Sequence, residues 1–553
     1  MILLMVVAMS GAMPPAAEWM LRPQPPSADE YAALLDESPE EALLFAARTE
    51  WLPPDGPLRQ RVAEKALLPG RRGRLAAWAC TMCGLSPPSG MTPALVELGP
   101  GGELPGPAEG LRRPELVHAA LLRAMHSITG FVPMERPEYA VELALACWDG
   151  LPEGTRGLAL QLAGRLGAQV PEGKGAGLGL DWIRYLAETG GRLDAAPGET
   201  PRGLEALYTA RCLPDSVLRN WTDHPDWYVR RTAADSLPPE ELTPLLDDPV
   251  AYVALGAALR MQSGGMPGGG EALRRLAREP GPVGDMATSG LTAEDADLLE
   301  EMLGSPRPAR RAAAQAAWLE HGLAVDTRLA RSWEADPYWI VPVNWVYHLE
   351  QSGEMGRART TAERIAGMAE EAHRPEILLS LLEEIVTGGP AGTVEREPAW
   401  PGSELPFDPD TVTMARHLEL RTTEGTIVLE LLWDTAPIAC ANMVHLARDG
   451  FYDGIWVHRV VPGFVAQAGC PQGNGMGGPG YSIPGEPGLL AFRRGVVGMA
   501  DAGPGTAGSQ FFIMLDSHRR LDTRYTAFAV VSQGMEAAER LAVGSRIEAV
   551  EAR

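Results

Sequence analysis

Hydrophobic residues in this chain keep one period up to about residue 386 and a different one from residue 418 onward, and no single fold class satisfies both. From Asp29 to Val386, segments rich in Ala, Leu, Glu and Arg repeat their apolar residues every three or four positions and are separated by Pro/Gly turns. Ala32–Arg48, Tyr139–Trp148, Arg310–Glu320 and Ile377–Val386 read as helices on that pattern. From Leu418 the apolar residues alternate instead: Leu418, Leu420 and Thr422, a turn at Glu424-Gly425, then Ile427, Leu429 and Leu431. That is a β-hairpin. Residues 388–414 carry many Gly and Pro and no period, as a linker does. The 553 residues therefore divide into a helical region (21–387), a linker (388–414) and a β-rich domain (415–553).

A long run of short helices with no strands between them builds a bundle or a solenoid. Internal repetition favours the solenoid. Pro225, Pro249, Pro280 and Pro306 step by 24, 31 and 26 residues, each ahead of a stretch with Arg and small Ala at similar offsets. Asp226 to Leu237 is the clearest copy. The pattern resembles HEAT-type repeats, with an irregular helical domain as the alternative. A solenoid offers a concave surface to a protein partner and seldom carries catalysis of its own. Trp227, Trp333, Trp339 and Trp345 could line such a surface, but at this spacing core packing is the favoured reading.

Charge separates the two parts as sharply as period does. The last 137 residues hold 11 Arg and 14 Asp or Glu, against 37 basic and 58 acidic residues before them. A net charge of −24 excludes a nucleic-acid backbone as a natural partner. No apolar run reaches the roughly 18 residues of a membrane span. Residues 1–12 carry an apolar stretch followed by Ser10-Gly11-Ala12, which reads as a signal peptide and predicts export; a docked N-terminal helix is the alternative. Cys80-Thr81-Met82-Cys83 lacks a second pair or a nearby His, so it is expected to be structural, and disulfide-linked if the protein is exported. Scattered histidines predict no metal, and Gly173-Lys174-Gly175-Ala176-Gly177 lacks the Gly-Lys-Ser/Thr ending of a phosphate loop.

In the β-rich domain, Pro437 opens a helix to about Arg448 with Thr435 as its expected cap, and a strand follows from Ile455 to Val461. Three segments then occur in order. They are His458-Arg459-Val460-Val461-Pro462-Gly463-Phe464-Val465-Ala466-Gln467, Gly475-Met476-Gly477-Gly478-Pro479-Gly480-Tyr481, and Met499-Ala500-Asp501-Ala502 through Ser509-Gln510-Phe511-Phe512, with Leu521-Asp522 beyond. Together they resemble the signature of the cyclophilins over about residues 415–550. The resemblance implies an eight-stranded closed β-barrel capped by two helices and peptidyl-prolyl cis–trans isomerase activity on proline-containing polypeptides, with no cofactor. It implies Arg459, Gln467 and Phe512 as catalytic residues. Phe464, Val465, Leu521 and Tyr525 would line the substrate groove, Gln510 would hold the arginine and the substrate backbone, and Ala500-Asp501-Ala502 would form the edge that pairs with the residue before proline.

The chemistry can be argued without the family. An X-Pro bond isomerises slowly because amide resonance resists twisting, with a barrier of about 18–20 kcal/mol. At the twisted transition state the prolyl nitrogen regains its lone pair, so a donor placed there binds the transition state and not the planar amide. A guanidinium serves as that donor with no nucleophile or metal. Some positions depart from the family's pattern: Val465 replaces a frequent Met, Tyr525 a His, Asp501 an Asn, and Val457 and Ala468 a Phe and a Gly. Arg520 stands where cyclosporin-sensitive members carry Trp, so tight cyclosporin binding is not expected. Two functions stay open at this stage: an isomerase whose helical region holds a client, or a proline-segment binding module with little turnover.

Overall fold

The computed structural model describes residues 20, 25–49, 51–53, 56–65, 75–76, 79–80, 83, 106–127, 136–175, 178–193, 201, 203–367, 405–407, 412, 415–503, 505–518 and 521–553. The signal-like stretch 1–12, the helix expected at 377–386, most of the linker and Arg520 lie outside them.

The N-terminal region is helical, and helices one or two places apart in sequence pack on one another. Glu153–Leu166 meets Gly179–Thr189, which meets Gly203–Cys212. Further on, Trp227–Ser236 meets Ala251–Ser263, and Pro308–Glu320 meets Ile340–Gln351. All four repeat prolines lie two residues ahead of a helix, with the helices after Pro280 and Pro306 being Pro282–Ser289 and Pro308–Glu320. Asp-Pro pairs tie successive helices together. Arg230 donates through Nε and Nη2 to Asp248 at 2.6 and 2.9 Å, and the same carboxylate accepts the Val250 N–H at 2.8 Å. Arg311 and Asp336 repeat the arrangement at 2.8 Å on both branches, with the Tyr338 N–H on the same carboxylate. A bidentate fork with an added backbone donor is what a carboxylate this buried requires.

Some sequence expectations are refined. The segment expected as one helix from Ala32 to Arg48 is two, Ala28–Glu37 and Pro39–Thr49, because Pro39 has no N–H with which to continue the first. Trp227, Trp333 and Trp345 are buried, as core residues. Cys80 and Cys83 are not joined by a disulfide, and burial pushes the Cys80 thiol up to about 11, where it stays protonated and inert. Among the described residues, no helix is long and apolar enough to cross a membrane.

The C-terminal domain is an eight-stranded antiparallel sheet curved into a half-barrel, with strand order β3-β4-β6-β5-β7-β2-β1-β8. Its strands are β1 His417–Thr422, β2 Gly425–Leu431, β3 Arg459–Val461, β4 Val465–Ala468, β5 Val496–Met499, β6 Phe511–Met514, β7 Ala527–Gln533 and β8 Ile547–Ala552. The predicted hairpin is β1–β2, with Leu420 opposite Ile427. Of the strand expected over 455–461, only β3 joins the ladder. Its leading residues instead bond to those entering β8, Val457 N–H to Ser545 O and Ile547 N–H to Ile455 O, both 2.8 Å. Helices Pro437–Arg448 and Met535–Arg540 complete the domain.

Thr435 does not cap the first of these helices. Its N-cap is Ala436, and the orphan N–H groups of Ile438 and Ala439 donate to the carboxylate of Glu486 at 3.1 and 2.7 Å. Glu486 is fully buried, and Arg48 of the Pro39–Thr49 helix lies 3.9 Å from it. Arg48 also donates to the Thr435 carbonyl and, at 3.0 Å, to that of Pro487. The helical region thus grips the sheet domain, and it does so at several separated places. Trp227 Nε1 donates to Arg540 O at 3.1 Å, Arg307 to Gln472 O at 3.1 Å, and Asn474 to the Tyr338 hydroxyl.

Candidate active site

The sheet register sets out the site. Arg459 of β3 pairs with Gln467 of β4, Gln467 with Phe512 of β6, and Phe512 with Gly498 of β5. Directly paired residues present their side chains on the same face. A guanidinium, an amide and an aromatic ring therefore stand in one row, graded from exposed Arg459 through half-buried Gln467 to buried Phe512. The row ends at a glycine for a steric reason: a Cβ on Gly498 would sit 2.6 Å from Phe512 Cζ and 2.7 Å from Phe492 Cε1. Glycine inside a strand marks such close approach.

A relay of amides fixes the polar end. Gln510, almost wholly buried, donates from Nε2 to Gly475 O and Gly477 O at 2.8 and 2.7 Å. Its Oε1 is thereby turned toward Gln467 Nε2 at 3.2 Å, and Gln467 Oε1 toward Arg459 Nη1 at 3.4 Å. Each amide has one donor end and one acceptor end, so two carbonyls at the far end decide which atom faces the arginine.

Beside the row lies a cleft of about 360 Å³ lined by Arg459, Phe464, Val465, Gln467, Ala500, Asp501, Phe512, Leu521, Arg524 and Tyr525. Its floor belongs to a separate small core of Val465, Phe492, Val496, Phe512, Met514, Leu521 and Ala527. The Phe512 and Tyr525 rings meet edge to face at 5.8 Å, and the Arg459 guanidinium lies 5.9 Å from the Phe464 ring centre. Of the expected residues, Arg459, Phe464, Val465, Gln467, Ala500, Asp501, Phe512, Leu521 and Tyr525 line this cleft. Gln510 lies beneath the cleft rather than on it, and the N–H of exposed Ala502 is turned to Thr506 Oγ1 at 2.8 Å. Asp501 reaches the cleft while its carboxylate accepts the Gly503 N–H at 3.1 Å, holding its own turn. Arg524 and Gly498 were missed. For Gly498 the signal was available, a glycine between apolar β residues; for Arg524 no pattern marked it.

Residues 417–552 match the family model for cyclophilin type peptidyl-prolyl cis-trans isomerase/CLD. A peptidyl-prolyl cis-trans isomerase of Synechococcus elongatus is 44% identical over 133 residues, which cover 24% of this chain and 92% of that protein. The chain belongs to the cyclophilin-type isomerases. Peptidyl-prolyl cis-trans isomerase B of Bacillus subtilis is 44% identical over 22% of this chain and 88% of its own length. A solved cyclophilin of Cryptosporidium parvum shares 28% identity, covering 25% of this chain and 98% of that one, with a TM-score of 0.24. The isomerase activity thus resides in the last quarter of the chain, and it acts on X-Pro bonds.

In this cyclophilin, Gly498→Ala should drive the Phe512 ring toward the cleft. Overpacking of this kind costs about 1–3 kcal/mol of stability, and KM for an X-Pro peptide should rise with it. Denaturant unfolding and steady-state kinetics on the full chain measure both, and a wild-type KM would contradict the steric reading of the row.

Proposed function

We propose that Arg459 is the catalytic donor, that Gln467 and Gln510 orient it, and that Phe512 with Phe464, Val465, Leu521 and Tyr525 receives the proline ring. The row Arg459–Gln467–Phe512 carries this reading, because it sets a charged donor beside an apolar cleft, two strands across from the Phe512 ring. A proline seated on Phe512 brings its nitrogen to the guanidinium side, where the regained lone pair of the twisted amide accepts a hydrogen bond. The main-chain edge at Ala500–Ala502 is proposed to pair with the residue before proline. No proton transfer is involved, so no titrating base is needed.

Burying the ring's three methylenes at about 0.8 kcal/mol each stabilises the bound peptide by about 2.4 kcal/mol. Removing the main wall by Phe512→Ala is therefore expected to lower kcat/KM about tenfold or more. The cis-to-trans relaxation of an Ala-Pro tetrapeptide with the full chain measures it, and an unchanged value would remove Phe512 from the pocket.

Around this centre we read the sheet as a barrel closed through the 454–457 and 544–547 segments, supported by their four backbone hydrogen bonds. The helical region reads as a HEAT-like solenoid, supported by the proline offsets and the repeated Arg–Asp-Pro ties. Its outward face is the proposed surface for a protein partner or client, to be sought by cross-linking to the full chain. The domain limits proposed are 21–387, 388–414 and 415–553. Residues 1–12 are proposed as an export signal, which N-terminal sequencing of the mature protein tests.

A further inference from the structure

Helices Glu153–Leu166, Gly179–Thr189 and Gly203–Cys212 deliver three side chains to the back of the proline pocket: Arg165, Arg184 and Tyr208. Arg184 forms a buried ion pair with Asp516, just after β6, and the Tyr208 hydroxyl lies 3.3 Å from the same carboxylate. That hydroxyl is also 3.5 Å from Gly463 O, in the turn between β3 and β4. Gly463 has φ +74°, and a Cβ there would sit 2.9 Å from the Tyr208 oxygen and 3.0 Å from Leu207 Cδ2. The turn that carries Phe464 is thus pressed against the helical region, and only glycine permits the approach.

Arg165 acts one step closer to the pocket. His518 Nε2 lies 2.8 Å from Gly463 O, and a carbonyl can only accept, so Nε2 carries the hydrogen. Arg165 Nη2 lies 3.0 Å from Nδ1 and has only hydrogens to offer, so Nδ1 is the unprotonated acceptor. Between them the guanidinium and the carbonyl admit one form of the ring, the neutral Nε2–H tautomer in a fixed orientation. That ring packs edge-on against Phe464 at 4.7 Å. Phe464 is in turn tied to the strand end, its carbonyl accepting the Leu515 N–H at 2.9 Å.

We propose that the helical region sets the Phe464 wall of the proline pocket through Arg165 and His518, so that Arg165 is a positioning residue for isomerisation supplied from outside the cyclophilin domain. This rests on the reading of Phe464 as a pocket wall. The helical region is then part of the working site as well as a surface for partners.

The test uses the full chain and an X-Pro tetrapeptide. Arg165→Met keeps the packed stem and removes the donors, and is expected to lower kcat/KM about tenfold, mostly through KM, as misplacement of a binding wall does. Arg165→Lys retains a donor for Nδ1 and should recover most of the loss. His518→Phe keeps a ring against Phe464 without nitrogens, and in that background Arg165→Met should change kcat/KM by less than about twofold. Wild-type kinetics for Arg165→Met, failure of lysine to rescue, or losses that multiply in the double variant would each overturn the proposal. Phe464→Ala separates it from the reading of the pocket. If Phe464→Ala is impaired and Arg165→Met is not, only the positioning inference fails. If Phe464→Ala is fully active, the pocket reading fails and the inference with it.

Discussion

Arg459→Ala is expected to lower kcat/KM on an X-Pro peptide by about 10²–10³, the loss typical of one preorganised donor aimed at developing transition-state charge. In the proposed role of Arg459 the interaction forms only when the amide twists, so kcat and kcat/KM should fall together while peptide affinity changes little. Stability should hardly move. Arg459 is exposed, and its bond to Gln467 is long at 3.4 Å, so its removal belongs with surface substitutions that stay within about 0.5 kcal/mol. Arg459→Lys is expected to rescue poorly, because a flexible ammonium cannot be oriented by the Gln467 amide as a planar fork is. Relaxation kinetics at saturating and sub-saturating peptide, with unfolding curves alongside, measure all three quantities. A variant that kept the wild-type rate would leave the cleft a proline-binding site with no assigned donor.

The second large effect is on stability and depends on pH. Burial pushes the Glu486 carboxyl up to about 7 against the opposing pull of Arg48 and of the Ala439 and Ile438 N–H groups. A carboxyl raised on folding binds its proton more tightly in the folded chain, so its contribution is fully present below about 4.5 and is lost as pH climbs through 7. Arg48→Ala removes the largest of the opposing causes, so the folded-state value moves higher still. At pH 5 the carboxyl is protonated with or without Arg48, and the variant should lose the hydrogen bonds to backbone carbonyls, those of Thr435, Pro487 and Glu486 among them. At pH 8 it must either bury an unpaired charge or take up a proton, and breaking a buried pair costs about 3–5 kcal/mol. Denaturant unfolding of wild type and variant at the two pH values gives the difference directly. In a Glu486→Gln background the Arg48→Ala loss should be the same at both. Equal losses at pH 5 and 8 in the original background would mean that Glu486 does not titrate in this range.

What could be read from the sequence was local. The β1–β2 alternation and the Pro437–Arg448 helix each lie within a short stretch whose spacing carries the information, whereas Arg459, Gln467 and Phe512, on three different strands, were indicated by the resemblance to the cyclophilins. The prolines of the helical region worked for the same reason, each two residues from a helix start. What escaped was long in range. Thr435 had the right residue type for a cap, yet the N–H groups it would have served are held by a carboxylate 48 residues downstream of Ile438. Arg165 and His518 are 353 residues apart, and Arg48 and Pro487 439, with nothing in either neighbourhood to announce the other. Arginine is common along the helical region, and only tertiary packing decides which guanidinium meets a buried acceptor.

The pairing of β1 with β8 has a consequence for the order of events at the ribosome. Arg421 and Glu551, joined by a hydrogen bond across that pair, are separated by 130 residues, so β1 lacks its outer partner strand until nearly all of the domain has been translated. The helices upstream contact helices one or two places away in sequence, and such local contacts form early and fast. Nascent chains of this protein are therefore expected to form the helices that carry Arg48, Arg165 and Arg184 before β8 has been made. The catalytic domain is then expected to mature against helices that were made before it.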